Sequence, residues 1–205
     1  MAHQIPVKLR DTLIVFIKNP RPGRVKTRIA RTAGDAEALR IYRFLLAKTR
    51  AAALALRAER LLFYSDFPDR ADEWPETEFV KKVQTGRDLG ERMEAAFREA
   101  FENGSGKAVI IGSDCPGLTG ELLQAAFDRL ETADFVLGPT PDGGYYLLGM
   151  KELETSLFRE IEWSTDTVRA RTLAKIAAAG KSFALLPELP DIDTEEDWLL
   201  YEKNV

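Results

Sequence analysis

A layered α/β domain is the fold class that the sequence predicts, on three observations. Strand-like apolar runs alternate with helical stretches from one end of the chain to the other. No internal repeat or Gly/Ser-rich linker interrupts them, and 205 residues are enough for one sizeable core but short for two. The expected division is a lead-in over residues 1–11 and a single domain over 12–205.

The first strand is expected at 12–17, where Leu13-Ile14-Val15-Phe16-Ile17 is continuously apolar, as a strand buried on both faces requires. Ala36 to Glu59 is rich in Ala, Leu and Arg and carries Leu39, Tyr42, Leu45, Leu46 and Thr49 at helical spacing, predicting a long helix over a sheet face. A strand follows at 60–65. The stretch from Asp66 to Thr77, with Pro68 and Pro75, reads as a mobile surface connection, because a domain boundary there would leave the first piece too small to bury a core. After a strand at 79–83, Asp88 to Phe101 repeats the amphipathic pattern with Leu89, Met93, Ala96 and Phe97 on one side. A strand at 107–112 precedes Thr119, a candidate helix N-cap before Glu121-Leu122-Leu123. Strands are expected at 134–138, 144–149 and 182–186. Ser164 or Thr165 is the expected cap of a helix running through Arg171 and Ile176 to Gly180, a C-cap glycine. Thr194-Glu195-Glu196-Asp197 opens a short closing helix, with Asp197 in the acidic position of a capping box.

Composition narrows the function. Hydrophobic residues make up 45% and charged residues 30%, a soluble balance. No apolar run is long enough to span a bilayer, and Met1 to Pro6 lacks the layout of a signal peptide, so the expected location is cytoplasmic. The formal charge of -4 argues against a nucleic-acid partner, which would need an extended positive face. Cys115 is the one cysteine, which rules out a disulfide framework or a thiolate cluster. With the sole histidine, His3, in the lead-in, Cys115 also has no evident base partner and reads as a small buried residue.

Against that acidic background, Lys18 to Arg28 holds five cations and no anion directly after the first strand, where open α/β sheets expose their ligand crevice. Lys26 and Arg28 are the leading phosphate-contact candidates, followed by Lys18 and Arg24, and Gly23 permits close backbone approach. A solvated basic turn is the alternative. The segment lacks the first glycine and the Gly-Lys pair of a nucleoside-triphosphatase loop, so an ATPase is disfavoured.

Carboxylates recur at other strand ends. Asp114 follows the apolar run 107–112 as a candidate metal ligand, and Asp193, or Asp191 on the same side of an extended segment, is its candidate partner. Simple turn or helix capping is the competing role for each. Gly143 and Gly144 can bring backbone amides to a ligand or form a hairpin turn, and Asp142 can hold sugar hydroxyls. Gln84 and Gly86 are candidates for a base or ribose edge, with Arg87 or Arg92 near phosphate and a surface helix position as the alternative for Arg92. Trp163-Ser164-Thr165 either shapes an acceptor pocket or packs.

The segments Lys18-Asn19-Pro20 with Gly23 and Lys26-Thr27-Arg28, Gln84-x-Gly86-x-Asp88-Leu89-Gly90-x-Arg92-Met93, Gly112-Ser113-Asp114-Cys115-Pro116, Asp142 to Gly149, and Asp191-Ile192-Asp193-Thr194 occur in one order. Together they resemble the bacterial glycosyltransferase-like family of unknown function numbered 2064, within the nucleotide-diphospho-sugar transferase superfamily, over almost the whole chain after residue 11. The resemblance implies a GT-A-like three-layer α/β/α sandwich with a mixed, mostly parallel sheet. It also implies Asp114 as the metal-binding aspartate at the central strand end, and Asp193 as its late partner. Ser113-Asp114-Cys115 departs from the Asp-x-Asp signature of sugar transferases, which weakens that assignment, and the cationic first loop resembles the triphosphate-binding region of nucleotidyltransferases. The leading expectation is a Mg2+- or Mn2+-dependent nucleotidyl transfer from a nucleoside triphosphate to a phosphorylated small molecule. Glycosyl transfer from a nucleotide-diphospho-sugar to a small acceptor, and nonenzymatic nucleotide sensing, stay open.

Overall fold

The computed structural model describes residues 10–204. His3 and most of the expected lead-in lie outside the described residues; Arg10 and Asp11 already belong to the first strand, β1 (Arg10–Ile17). Six further strands join it in one sheet: β2 (Glu59–Tyr64), β3 (Val80–Val83), β4 (Ser105–Ile111), β5 (Phe135–Pro139), β6 (Tyr145–Met150) and β7 (Phe183–Leu185), in spatial order β3-β2-β1-β4-β6-β5-β7. All neighbouring pairs are parallel except β6, which runs antiparallel to both β4 and β5. The reason is local. Only the short turn after Pro139 separates β5 from β6, too little chain for the crossover that a parallel pair needs.

Two helical layers cover the sheet. On one face, α2 (Asp35–Ala55) and α4 (Gly120–Thr132) bury Tyr42, Leu46, Ala53, Leu123 and Phe127 against Leu13, Val15 and Val109. On the other, α3 (Leu89–Glu102) and α5 (Val168–Ala178) bring Met93, Phe97 and Ile176 against Ile14, Phe63 and Leu148. Each large side chain removed from water in this way contributes about 1.5–3 kcal/mol before conformational entropy is counted. The result is the expected three-layer sandwich with a mixed, mostly parallel sheet. Among the described residues no helix is long and apolar enough to cross a membrane.

One helix was not expected and two helix boundaries differ from expectation. The basic segment after Lys26 contains a short helix, α1 (Thr27–Ala33), which has no side-chain N-cap and one fully buried apolar residue, Ile29, so its sequence carried little periodic signal. The second helix stops at Ala55 rather than near 59, because Glu59 already pairs with Thr12 in the sheet. The fifth helix starts at Val168; Thr167 precedes it without a side-chain cap, and Ser164 instead takes a left-handed backbone (φ 66). Two expected caps form: Thr119 accepts from the Leu122 amide, and Thr194 and Asp197 cap each other at the start of α6 (Glu195–Asn204). The expected mobile connection after Tyr64 is anchored. Trp74 is buried, and Lys81 reaches both Asp72 Oδ1 (2.6 Å) and the Asp69 carbonyl (2.6 Å) with little of either side chain exposed.

Candidate active site

The chain leaves β1 toward β2 on one side and reaches β4 on the other, so a crevice opens beyond the carboxyl ends of β1 and β4, the switch point at which open α/β sheets bind ligands. Tyr42 of α2 reaches into it. Its hydroxyl accepts from the Lys18 amide (2.8 Å), donates to the Lys18 carbonyl (3.2 Å) and lies 3.3 Å from Ser113 Oγ. One buried phenol therefore ties the loop after β1 to the loop after β4; burial, the larger influence, keeps it protonated far above the ordinary tyrosine value, although the Ser113 contact works the other way. Asn19 fixes the same loop sideways, donating to the Phe67 carbonyl (2.9 Å) and accepting from the Asp66 amide (3.1 Å).

Lys26 stands at the centre. Its side chain is 6% exposed, and its ammonium donates to Asp114 Oδ1 (2.6 Å), Asp193 Oδ1 (3.1 Å) and the Ile192 carbonyl. The two carboxylate oxygens are thus no farther apart than these two contacts laid end to end. Burial pulls the lysine pKa down, but Asp114 and Asp193 outweigh it and hold the group above its ordinary value. The backbone at Lys26 is left-handed (φ 45, ψ 47), a conformation that costs a non-glycine residue about 1 kcal/mol and here aims the side chain inward. Asp193 is delivered by a separate tie: the Ile192 amide donates to the Asp114 carbonyl at 2.9 Å. Arg28 Nη1 completes the cluster at 3.2 Å from Asp193 Oδ2.

A cleft of about 530 Å³ opens over this cluster. Lys18, Arg24, Lys26, Arg28 and Arg92 all line it, with Gln84, Asp114 and Asp193. Arg21 does not; it pairs with Asp66 (2.8 Å) and lies over the Phe67 ring. Gln84 uses its amide nitrogen on the carbonyls of Ile17 (3.1 Å) and Phe63 (3.2 Å), bracing β1 against β2. Gly23 and Gly86 are not among the lining residues. Gly86 supplies the carbonyl that receives Arg92 Nε at 3.1 Å and thereby orients that guanidinium.

A second cavity of about 190 Å³ adjoins the first and shares Asp114, Gly112 and the Tyr145 and Tyr146 walls with it. Asp142, Gly144 and Asp191 line it, together with Trp163 and Cys115. Gly143 stands behind the wall. Its φ is 88, and a Cβ there would lie 2.0 Å from the Asp166 carbonyl oxygen, so glycine is required by packing against the loop before α5. Asp142 closes the turn by accepting from Thr140 Oγ1 (2.5 Å) and the Gly144 amide (3.0 Å). Partial burial, then the charges of Asp193 and Asp142, push Asp191 up to about 6. Burial lifts the Cys115 thiol to about 11, against the amide hydrogen bonds of Gly117 and Leu118, which makes it a poor nucleophile at neutral pH.

Two functional residues had no site role in the sequence reading: Tyr42, whose helical spacing marked it as core, and Asn19, which stands in the Lys18-Asn19-Pro20 segment of the family resemblance. Trp163, for which packing was one of two expected roles, packs and also lines the second cavity: its Nε1 lies 2.4 Å from where a Cβ on Gly90 would sit.

The family model of uncharacterized proteins conserved in bacteria (DUF2064) matches residues 47–165. A crystal structure from Desulfovibrio desulfuricans G20, described as a candidate nucleotide-diphospho-sugar transferase, is 33% identical, with a TM-score of 0.87 over 96% of this chain and 88% of that one. The 4-diphosphocytidyl-2C-methyl-D-erythritol synthase of Anaerococcus prevotii superposes with a TM-score of 0.62 at 12% identity over 96% of each chain. A manganese complex of Rv0371C from Mycobacterium tuberculosis does so with a TM-score of 0.54 at 12% identity, covering 96% of this chain and 100% of that one. The last two likenesses establish the fold, which is GT-A-like. No curated protein matches in sequence.

Proposed function

The chain belongs to the bacterial DUF2064 family, and from that premise we propose that it is a metal-dependent, nucleotide-using transferase that binds its donor phosphates in the cationic cleft, acting in the cytoplasm. One observation carries the reading: Lys26 is held by Asp114 and Asp193 together, on the floor of a cleft that four further cations line. The name given to the 33%-identical relative agrees with it.

The donor set fits a hard divalent ion shared with substrate. Among the described residues no group of three Asp, Glu, His or Cys side chains could hold a metal alone. Two carboxylates, Asp114 and Asp193, are suited to Mg2+ or Mn2+ whose remaining positions belong to water and phosphate oxygens. When bound, such an ion compensates the charge that builds up on the departing phosphate oxygens.

The chain's own residues do the rest. Lys26 and Arg28 neutralise donor phosphate oxygens, and Lys18, Arg24 and Arg92 extend the positive wall. Tyr42 and Asn19 keep the loop that carries Lys18 in place. Alignment and charge stabilisation suffice, and no protein nucleophile is needed. Nucleotidyl transfer then has an acceptor attack the α-phosphate with loss of pyrophosphate. A second reading, glycosyl transfer from a nucleotide-diphospho-sugar, is favoured by the lining of the adjoining cavity, which offers hydroxyl and carboxylate groups. The test is a binding screen of nucleoside triphosphates and nucleotide-sugars with Mg2+ and Mn2+, followed by product analysis. Pyrophosphate identifies the first reaction and nucleoside diphosphate the second. Saturable binding without turnover identifies a sensor, and no nucleotide binding overturns the proposal.

A further inference from the structure

The two adjoining cavities carry opposite charge. Five of the residues lining the larger one are Lys or Arg, whereas among the described residues lining the smaller one there is no Lys, Arg or His, and Asp114, Asp142 and Asp191 are its only charged groups. Asp114 stands on the boundary, paired with Lys26 on the side of the larger cavity. Resting on the reading of the larger cavity as the donor site, we infer that the smaller one receives an acceptor rich in hydroxyl groups and carrying no phosphate or carboxylate.

The lining chemistry matches that class. Asp142 uses one oxygen, Oδ1, on Thr140 and Gly144, and its Oδ2 accepts no hydrogen bond from the described residues. The Asp191 carboxylate accepts none from the side chains or amides of other described residues. These are open acceptors for hydroxyl donors. Ser164 and Thr165 add hydroxyls, and the partly exposed Trp163 ring adds an aromatic wall. A space of about 190 Å³ corresponds to roughly six waters at about 30 Å³ each, the scale of a small polyol or part of a sugar ring. Away from the Asp114 boundary, where Lys26 and the proposed ion stand, an anionic acceptor would face Asp142 and Asp191 with no lysine, arginine or histidine in the lining, so exclusion by like charge sets the specificity. Phosphorylated compounds are thereby confined to the donor side. The phosphorylated acceptor expected from sequence finds no basic side chain in the lining of this cavity.

Cys115 lines the cavity and is the chain's one cysteine, so its labelling reports on this space alone. Methanethiosulfonate reagents of positive, neutral and negative charge would be compared at one pH, each rate divided by its rate with mercaptoethanol. The cationic reagent is expected to label at least ten times faster than the anionic one, and Asp142→Asn with Asp191→Asn should cut that ratio several-fold. Equal rates, a faster anionic reagent, or no labelling by any of the three would overturn the inference. Protection then tests the class directly, using myo-inositol, glucosamine and glycerol against their phosphate esters. The unphosphorylated member should slow labelling more in at least one pair, and no pair separating that way would also overturn it. Nucleotide binding and its loss on Arg28→Ala are measured separately: failure there sinks the donor-site reading, whereas failure of the charge ratio or of protection sinks only the acceptor class.

Discussion

Lys26 connects three distant parts of the chain through a single ammonium group, and most of what the site does can be argued from it. It is simultaneously a phosphate-contact candidate and the counter-ion of both candidate metal ligands. A divalent ion entering alone must displace it. Lys26→Met is therefore expected to strengthen Mn2+ binding to the nucleotide-free protein, read by electron paramagnetic resonance of free Mn2+. The same change should weaken nucleotide binding about 10- to 100-fold by calorimetry, the worth of a charge-assisted hydrogen bond. Unchanged Mn2+ affinity would show that the lysine does not compete. Asp191 allows a second test with the sign fixed by linkage. Its pKa is raised from 3.8 to about 6, so the folded state holds a proton that the unfolded state releases, and stability falls as pH rises across that window. In EDTA, Asp191→Asn should raise the melting temperature at pH 7, by an amount corresponding to about 1 kcal/mol after discounting for the water that reaches the carboxylate, and should flatten the profile between pH 4 and 6.

At the scale of elements, the site depends on how helix α2 is set against two strand-end loops. Tyr42 comes from the second turn of that helix and bonds both loops, so Tyr42→Phe removes the tie while preserving the packing of the ring. The expected loss is about 1 kcal/mol of stability together with a several-fold weaker nucleotide affinity, measured by denaturant titration and calorimetry. A purely structural role would move the first and leave the second alone. The β5–β6 turn makes a comparable demand. Gly143 combines a left-handed backbone with direct contact against the Asp166 carbonyl, so Gly143→Ala should destabilise by more than 1 kcal/mol and displace the Trp163–Thr165 wall, visible as altered tryptophan fluorescence.

Across the whole molecule, a net charge of -4 coexists with one concentrated positive cleft, an arrangement that directs anions to a single place. A nucleotide bound there would contact segments distant in sequence, and binding should stabilise the folded state by about 2.7 kcal/mol at one hundred times its dissociation constant. Amide exchange is expected to slow around residues 18–28, 112–118 and 189–194 and to stay unchanged in the edge strands β3 and β7. Protection confined to the first of these segments would mean that the three do not form one site.

The order of residues alone was enough to read the alternation of strands and helices, because continuous apolar runs and helical spacing are local patterns. It likewise marked the strand-end motifs, because Gly, Pro and Asp clusters at those positions have local conformational meaning. Asp197 capping Thr194 was readable for the same reason, being three residues away. Folding in three dimensions was needed to show that β6 lies between β4 and β5, that Lys26 rather than Arg28 or Arg24 occupies the gap between Asp114 and Asp193, and that a cationic and an acidic cavity meet at one aspartate. Those outcomes turn on side chains up to 167 residues apart in the chain and on a left-handed backbone at Lys26. Residue order carries no record of distances in space, and a strained conformation persists only where the surrounding packing holds it.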